Sequence, residues 1–241
     1  MIEELLHTLK MYGAVDYYEN LETDNISKEE MLKGLLKAEI ERRSTNALNR
    51  RLKYANFPLD REWEQIDLKK NPKVDFKKIK IHSNGKFVQE KKNLCFVGAP
   101  GLGKTHSLVA IGKDLCRQGI SVKCYSACDL VIMLEEAKAS NELSRVMMKI
   151  MKPQLLIVDE LGFVPFSENG ARLLFDVFSK RYENGSIAVS TNLSFQKWPQ
   201  IFGSIELTQA LIDRFTHRCE IFTFEGQSIR FSDSKKRKTT K

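Results

Sequence analysis

Apolar side chains recur every three or four positions early in the chain and give way to short unbroken runs in its second half. Ile2, Leu5, Leu6 and Leu9 keep that helical spacing and predict an amphipathic helix within residues 1–20. Ser27-Lys28-Glu29-Glu30 has the S-x-x-E form of a capping box, in which the two outer side chains satisfy free N–H groups at a helix start. Beyond it, Leu32, Leu35, Leu36, Ile40, Ala47, Leu48 and Leu52 predict one long helix ending near Ala55, ahead of Pro58. Arg43, Asn46, Arg50 and Lys53 fall on a polar stripe separate from the apolar one. Asn71-Pro72 and Ser83-Asn84-Gly85 punctuate the next stretch, so residues 56–92 read as a linker with little regular structure.

The pattern then changes. Apolar runs at Asn93–Val97, Ser121–Tyr125, Leu155–Asp159, Ile187–Thr191 and Cys219–Thr223 alternate with segments of helical period at 103–118, 127–150 and 168–184. Strands buried on both faces read as continuous apolar runs, and helical crossovers between them force a parallel sheet. The expected fold is therefore α/β, a parallel sheet flanked by helices and preceded by a small helical domain. The expected boundaries are 1–57 for the helical domain, 58–92 for the linker, 93–230 for the α/β domain and 231–241 for a basic tail expected to lack order.

Length and composition narrow this. A chain of 241 residues accommodates one full domain and a smaller piece. No apolar run approaches the roughly 20 residues that span a bilayer, and the opening Met-Ile-Glu-Glu has no signal-peptide core. A soluble, cytoplasmic protein without a membrane partner is expected. Cys95, Cys116, Cys124, Cys128 and Cys219 form no C-x-x-C pair, and reduced core thiols are the simplest reading.

The formal charge of +8 is banded. Residues 1–41 carry 4 basic and 10 acidic side chains, 42–92 carry 15 and 6, 93–225 carry 14 of each, and 226–241 carry 6 and 1. One connecting segment and one tail thus hold the whole excess. Such bands suit a polyanion, because each Lys or Arg that meets a phosphate releases counterions. Arg42, Arg43, Arg50, Arg51 and Lys53 are the candidate DNA-binding residues, although a solvated face would carry the same stripe.

Gly98-Ala99-Pro100-Gly101-Leu102-Gly103-Lys104-Thr105 satisfies G-x-x-x-x-G-K-[ST], with an apolar strand before it and a helical pattern after it. Its glycines let backbone N–H groups turn onto phosphate oxygens, and the helix start adds its positive dipole end. Lys104 supplies a point charge to the β- and γ-phosphates, and the Thr105 hydroxyl is a ligand for Mg²⁺. Leu155–Val158 ends in Asp159-Glu160: Asp159 suits the Mg²⁺ shell, and Glu160 suits orienting and deprotonating the attacking water. The Asp159 strand is expected beside the phosphate-loop strand. Ser190-Thr191-Asn192 closes another strand expected beside Asp159, where Asn192 can position that water. In Asp213-Arg214-Phe215-Thr216-His217-Arg218, either arginine can donate a planar fork to developing phosphate charge, in its own subunit or in a neighbour's. Trp198 beside Pro199 reads as a packing anchor.

These residues together resemble IstB, the ATP-binding helper of insertion-sequence transposition, within the AAA+ clade that includes the DnaC helicase loaders. The likeness covers nearly the whole chain. It includes Glu41-Arg42-Arg43, Arg50-Arg51-Leu52-Lys53, the phosphate loop followed by His106, and Asp159-Glu160-Leu161-Gly162-Phe163. Arg181-Tyr182, Ser190-Thr191-Asn192, Trp198, Asp213–His217 and Gly226-Gln227-Ser228-Ile229-Arg230 complete it. The resemblance implies an AAA+ core using ATP and Mg²⁺, with hydrolysis at subunit junctions. It also implies assembly into rings or helical filaments on duplex DNA and delivery of target DNA to a transposase encoded nearby. Carried over by position, Gly98–His106 binds the nucleotide, Asn192 matches sensor 1, Arg214 the trans-acting finger, and Arg230 a sensor 2-like position in the nucleotide site. This chain has Ile229 where the family usually has Tyr, and Ser-Thr-Asn where it usually has Thr-Ser-Asn. A DnaC-type helicase loader shares the same core and is the nearest alternative. A small-molecule kinase would need an Arg-rich lid that is absent from the sequence, and a binding-only module would show no turnover with DNA.

Overall fold

The strand pattern folds as its burial demands. The computed structural model describes residues 2–21, 26–66, 71–182 and 184–226, so Arg230 and the basic tail lie outside the described residues. Two compact units are present, Met1–Lys53 and Tyr54–Lys241.

In the first unit, α1 (Ile2–Thr8), α2 (Tyr12–Glu19) and α3 (Lys28–Ala55, continuing two residues into the second unit) enclose a small core of Leu6, Ala14, Val15 and Leu35. The predicted long helix and its capping box are both present: the Ser27 N–H donates to Glu30 Oε2 (3.0 Å) and the Glu30 N–H to Ser27 Oγ (3.2 Å). The single helix expected within residues 1–20 is two. Lys10 takes a left-handed φ of 55°, and the Met11 N–H closes onto the Leu6 carbonyl, a helix-ending geometry that glycine usually signals.

In the second unit, β1 (Asn93–Gly98), β2 (Val122–Ser126), β3 (Leu155–Leu161), β4 (Ser186–Thr191) and β5 (Cys219–Phe224) form one parallel sheet in the order β2-β3-β4-β1-β5. One expectation is corrected: β3, which carries Asp159, is not beside β1, because β4 pairs with both and lies between them. The apolar runs mark which segments are strands and leave their lateral order open. Alternation divides the sheet's side chains. Cys95, Leu156, Val158, Ile187 and Val189 join a core with Leu130 and Leu134 of α7 (Ala127–Ala139), Ile150 of α8 (Leu143–Met151), Leu174 and Val177 of α9 (Glu168–Arg181), and Phe215 of α11 (Ile205–His217). On the other face, Ile157 meets α6 (Lys104–Arg117) at Gly112. A side chain at Gly112 would lie 2.6 Å from the Phe57 ring and 3.2 Å from Ile157, so only glycine lets that segment lie flat on the helix. Trp198, just before α10 (Pro199–Phe202), is fully buried among Phe195, Phe202 and Phe215, which makes it the packing anchor that its sequence context predicts. The 127–150 segment is broken between α7 and α8 where Asn141 turns left-handed at φ 60°.

The stretch 56–92 departs most from expectation. It carries α4 (Phe76–Ile81) and α5 (Lys86–Gln89) and buries Trp63, Ile66, Val74, Phe76, Ile79, Phe87 and Val88. Ion pairs hold it to α6: Lys113 meets Asp60 and Glu62, and Arg117 lies 2.8 Å from Glu62. Lysines interleaved with apolar anchors mask a folded layer as a polar linker. The thiols of Cys95 and Cys124 are pushed up to about 12 by burial, as inert core cysteines should be.

Arg181, 1% exposed, gathers the segments that enter β3 and β4 at one end of the sheet. Its guanidinium donates to the carbonyls of Ile150, Pro153, Gln154 and Ser186 at 2.9–3.1 Å. Burial lowers its pKa to about 10, so it stays charged at neutral pH. Removing the fork strands several buried carbonyls, each costing about 1–3 kcal/mol. We expect Arg181→Met to lower the urea unfolding midpoint sharply at unchanged slope. Arg181→Lys should recover little, because an ammonium cannot span four carbonyls.

Candidate nucleotide-binding site

The phosphate loop begins where β1 runs out. Gly98, Gly101 and Gly103 hold φ of 154°, 80° and 99°, values an L side chain rarely adopts, and Gly103 caps α6. At Gly98 a Cβ would also stand 2.2 Å from the Phe224 carbonyl at the end of β5. The next residue in the cradle, Lys104, is 8% exposed, and its ammonium donates to the Gly98 (2.6 Å) and Ala99 (2.8 Å) carbonyls. Pro100 and Leu102 complete the turn; Leu102 is buried, and its carbonyl accepts from Asn71 Nδ2 at 3.0 Å. The three glycines, the buried ammonium and the first turn of α6 form a cradle that fits a polyphosphate.

The acids stand beside it. Asp159 is 5% exposed, and its Oδ1 receives the Thr105 hydroxyl at 3.0 Å and the Ser190 hydroxyl. Both of these donors choose Oδ1, which leaves Oδ2 open to a further group. Glu160 is exposed and sits at a left-handed φ of 59°, at a register shift between Val158 and Leu161 in the β3–β4 pairing. Thr105, Asp159 and Glu160 line one cavity of about 640 Å³, walled also by Phe57–Leu59, Tyr125, Ser126, Asp129 and Met133. Thr105 and Asp159 would hold Mg²⁺, whose charge neutralises phosphate oxygens during phosphoryl transfer. Asn192 follows β4, and its Oδ1 is buried without a hydrogen-bond partner among the described residues, the condition of an amide awaiting a polar group.

Two expected residues stand elsewhere. The His106 side chain donates through Nε2 to the Glu62 carbonyl (2.9 Å), and burial lowers its pKa, so the imidazole is neutral and engaged away from the phosphates. Arg214 donates to Ser179 Oγ (3.3 Å) and lines a basic recess with Lys91, Asn93, Arg181 and Arg218. That recess lies at the start of β1: the Asn93 N–H donates to the Arg218 carbonyl at 2.7 Å. Five strand steps, about 17 Å, separate this end from Gly98. Arg214 and Arg218 therefore lie at the opposite pole of their own sheet from the phosphate loop.

Among the DNA candidates, Arg42 is paired with Asp16 and stacked over Tyr12, and Arg43 is paired with Glu39. Arg50 and Lys53 are exposed. Arg51 is partly buried. Two contributors are not evident from the sequence: Asn71, whose only signal is the turn-forming Asn-Pro, and the dual contact of Ser190.

Comparison with known proteins agrees with this geometry. A family model described as IstB-like ATP binding protein matches residues 4–238. The ATP-binding protein of insertion sequence IS5376 from Geobacillus stearothermophilus is 33% identical over 97% of this chain and 95% of its own length. That of IS21 from Pseudomonas aeruginosa is 31% identical over 98% and 90%. Among solved structures, the DnaC helicase loader superposes with a TM-score of 0.57 over 73% of this chain and 99% of its own, at 21% identity, a likeness of fold. With a phosphate cradle, a neighbouring acidic pair and a five-stranded parallel sheet all in place, the chain belongs to the family of IstB-like ATP-binding proteins of insertion sequences.

Proposed function

We propose that this protein hydrolyses ATP with Mg²⁺ in assemblies formed on duplex DNA, and that it helps a transposase encoded nearby to select and use target DNA. The observation that carries the hydrolytic half is the shared cavity of Thr105, Asp159 and Glu160. Successive strand residues point to opposite faces, yet the left-handed Glu160 brings both acids to one space. Lys104 binds the β- and γ-phosphates, Glu160 takes a proton from the attacking water, and Asn192 orients that water. Arg230 is assigned a sensor 2-like contact with the nucleotide on the resemblance alone.

Support for an assembly comes from Arg214. A side chain about 17 Å of strand away from its own phosphate loop cannot reach it, so its fork serves a neighbour's phosphate in a head-to-tail contact. Such contacts close into rings or run on as filaments. Support for DNA comes from exposed charge: Lys77 and Lys80 on α4, Lys86 on α5, Lys73, Lys91 and Lys92 in the connections beside them, and Arg50 and Lys53 on α3. The transposase assignment comes from the insertion-sequence relatives.

Glu160→Gln is expected to keep ATP and DNA binding while phosphate release falls by on the order of 100-fold or more; release at the parental rate would remove Glu160 from its role. Arg214→Ala should lose hydrolysis at unchanged nucleotide affinity, and mixing it with Glu160→Gln should restore part of the activity, since a hybrid junction holds one intact acid and one intact fork. No recovery at any mixing ratio would contradict action across a junction. Duplex affinity should fall by a factor on the order of 10³ between about 50 and about 200 mM salt, and a flat titration would end the DNA half of the proposal.

A further inference from the structure

Ser190 lies at the end of β4, is 1% exposed, and makes contacts with both acidic residues of the site. Its hydroxyl donates to Asp159 Oδ1, and its oxygen accepts the backbone N–H of Glu160 at 2.9 Å. A serine hydroxyl has one proton and two lone pairs, so accepting from Glu160 turns its proton toward Asp159. Both contacts occur where the β3–β4 pairing slips between Val158 and Leu161. In an unbroken parallel ladder every second N–H along β3 would be met by a β4 carbonyl. At Glu160 the Ser190 side chain takes the place of such a carbonyl. Glu160 there holds φ 59°, and a non-glycine residue in a sparsely populated region costs of order 1–3 kcal/mol unless its surroundings impose it.

We infer that Ser190 is a positioning residue for hydrolysis: one buried hydroxyl fixes the Asp159 carboxylate and stabilises the left-handed backbone of Glu160, which sets the two acids on the same cavity. The inference rests on the reading of Glu160 as the residue that prepares water. Ser190 acts through these two acids. It also gives a physical content to the order Ser-Thr-Asn: the residue whose hydroxyl reaches both acids is the first of the three, while the Thr191 hydroxyl accepts the Leu193 N–H (3.1 Å) and shapes the turn after the strand.

The test compares Ser190→Ala, Ser190→Cys and Ser190→Thr in the full-length protein with DNA present. Removing a supporting hydrogen bond to a metal-site group typically costs 10–100-fold. Ser190→Ala and Ser190→Cys should therefore lower kcat by about 10–100-fold with KM for ATP within about twofold of the parent, and Ser190→Thr should recover most of the rate. An independent readout is amide hydrogen exchange: in Ser190→Ala the Glu160 N–H should exchange faster while the ladder amides of Ile157 and Val158 stay protected. Parental kcat in folded Ser190→Ala, or unchanged exchange at Glu160, would overturn the inference, and so would a loss confined to KM. Should Ser190→Ala fail to fold, the Ser190→Cys and Ser190→Thr pair decides, and equal rates in those two would likewise overturn it. Glu160→Gln measured alongside separates the two levels. If it hydrolyses like the parent, the reading of Glu160 fails. If it is inactive while Ser190→Ala is not, only the assignment of Ser190 fails.

Discussion

Two hydroxyls from different elements converge on one oxygen of a nearly buried carboxylate. Thr105 arrives from the first turn of α6 and Ser190 from the end of β4, and both give their protons to Asp159 Oδ1. A charge in that position is expensive unless it is hydrogen-bonded, so the two donors are a condition for having an acid there at all. Meeting that condition ties the phosphate loop, the acidic strand and the intervening strand into one unit. It requires β4 to lie between β1 and β3, the order the sheet adopts. With both hydroxyls on Oδ1, Oδ2 keeps capacity for a metal's hydration shell.

The sheet gives the protein two poles with different chemistry. Acids, phosphate loop and the unpaired amide oxygen of Asn192 collect beyond the strands' C-terminal ends, where ligands of open α/β sheets bind. Arginines collect at the other end, around Asn93 and the Arg218 carbonyl. The sheet thus separates acidic from basic chemistry along the direction of its strands. The buried Arg181 belongs to the second pole, where its guanidinium donates to four of the chain's own carbonyls.

Much of this is legible in the residues. The strands can be read to within one or two positions at each end, because doubly buried strands write themselves as unbroken apolar runs. The phosphate loop, Asp159, Glu160 and Asn192 stand out because their residue types are dictated by phosphate and metal chemistry. Lateral strand order is not legible: β1 and β3 share a pattern, and nothing in either run names its neighbour. Segment 56–92 reads falsely as a linker because its anchors, from Trp63 to Val88, are spaced irregularly between lysines and turn residues. The left-handed break at Lys10 leaves no signal, because lysine rarely adopts that conformation, whereas Asn141 is a residue type that does and marks the break after α7 only weakly. The role of Ser190 is hidden for a different reason. Its importance comes from a slipped register, and register is a property of two strands that no single run contains.

The contact at Gly98 has a mechanical consequence. Its missing side chain lets the Phe224 carbonyl press against the first residue of the phosphate loop, leaving no slack between them. The last strand and the nucleotide cradle must therefore shift in step. A displacement of Phe224 at the end of β5 would be felt first at Gly98, the opening residue of the phosphate loop.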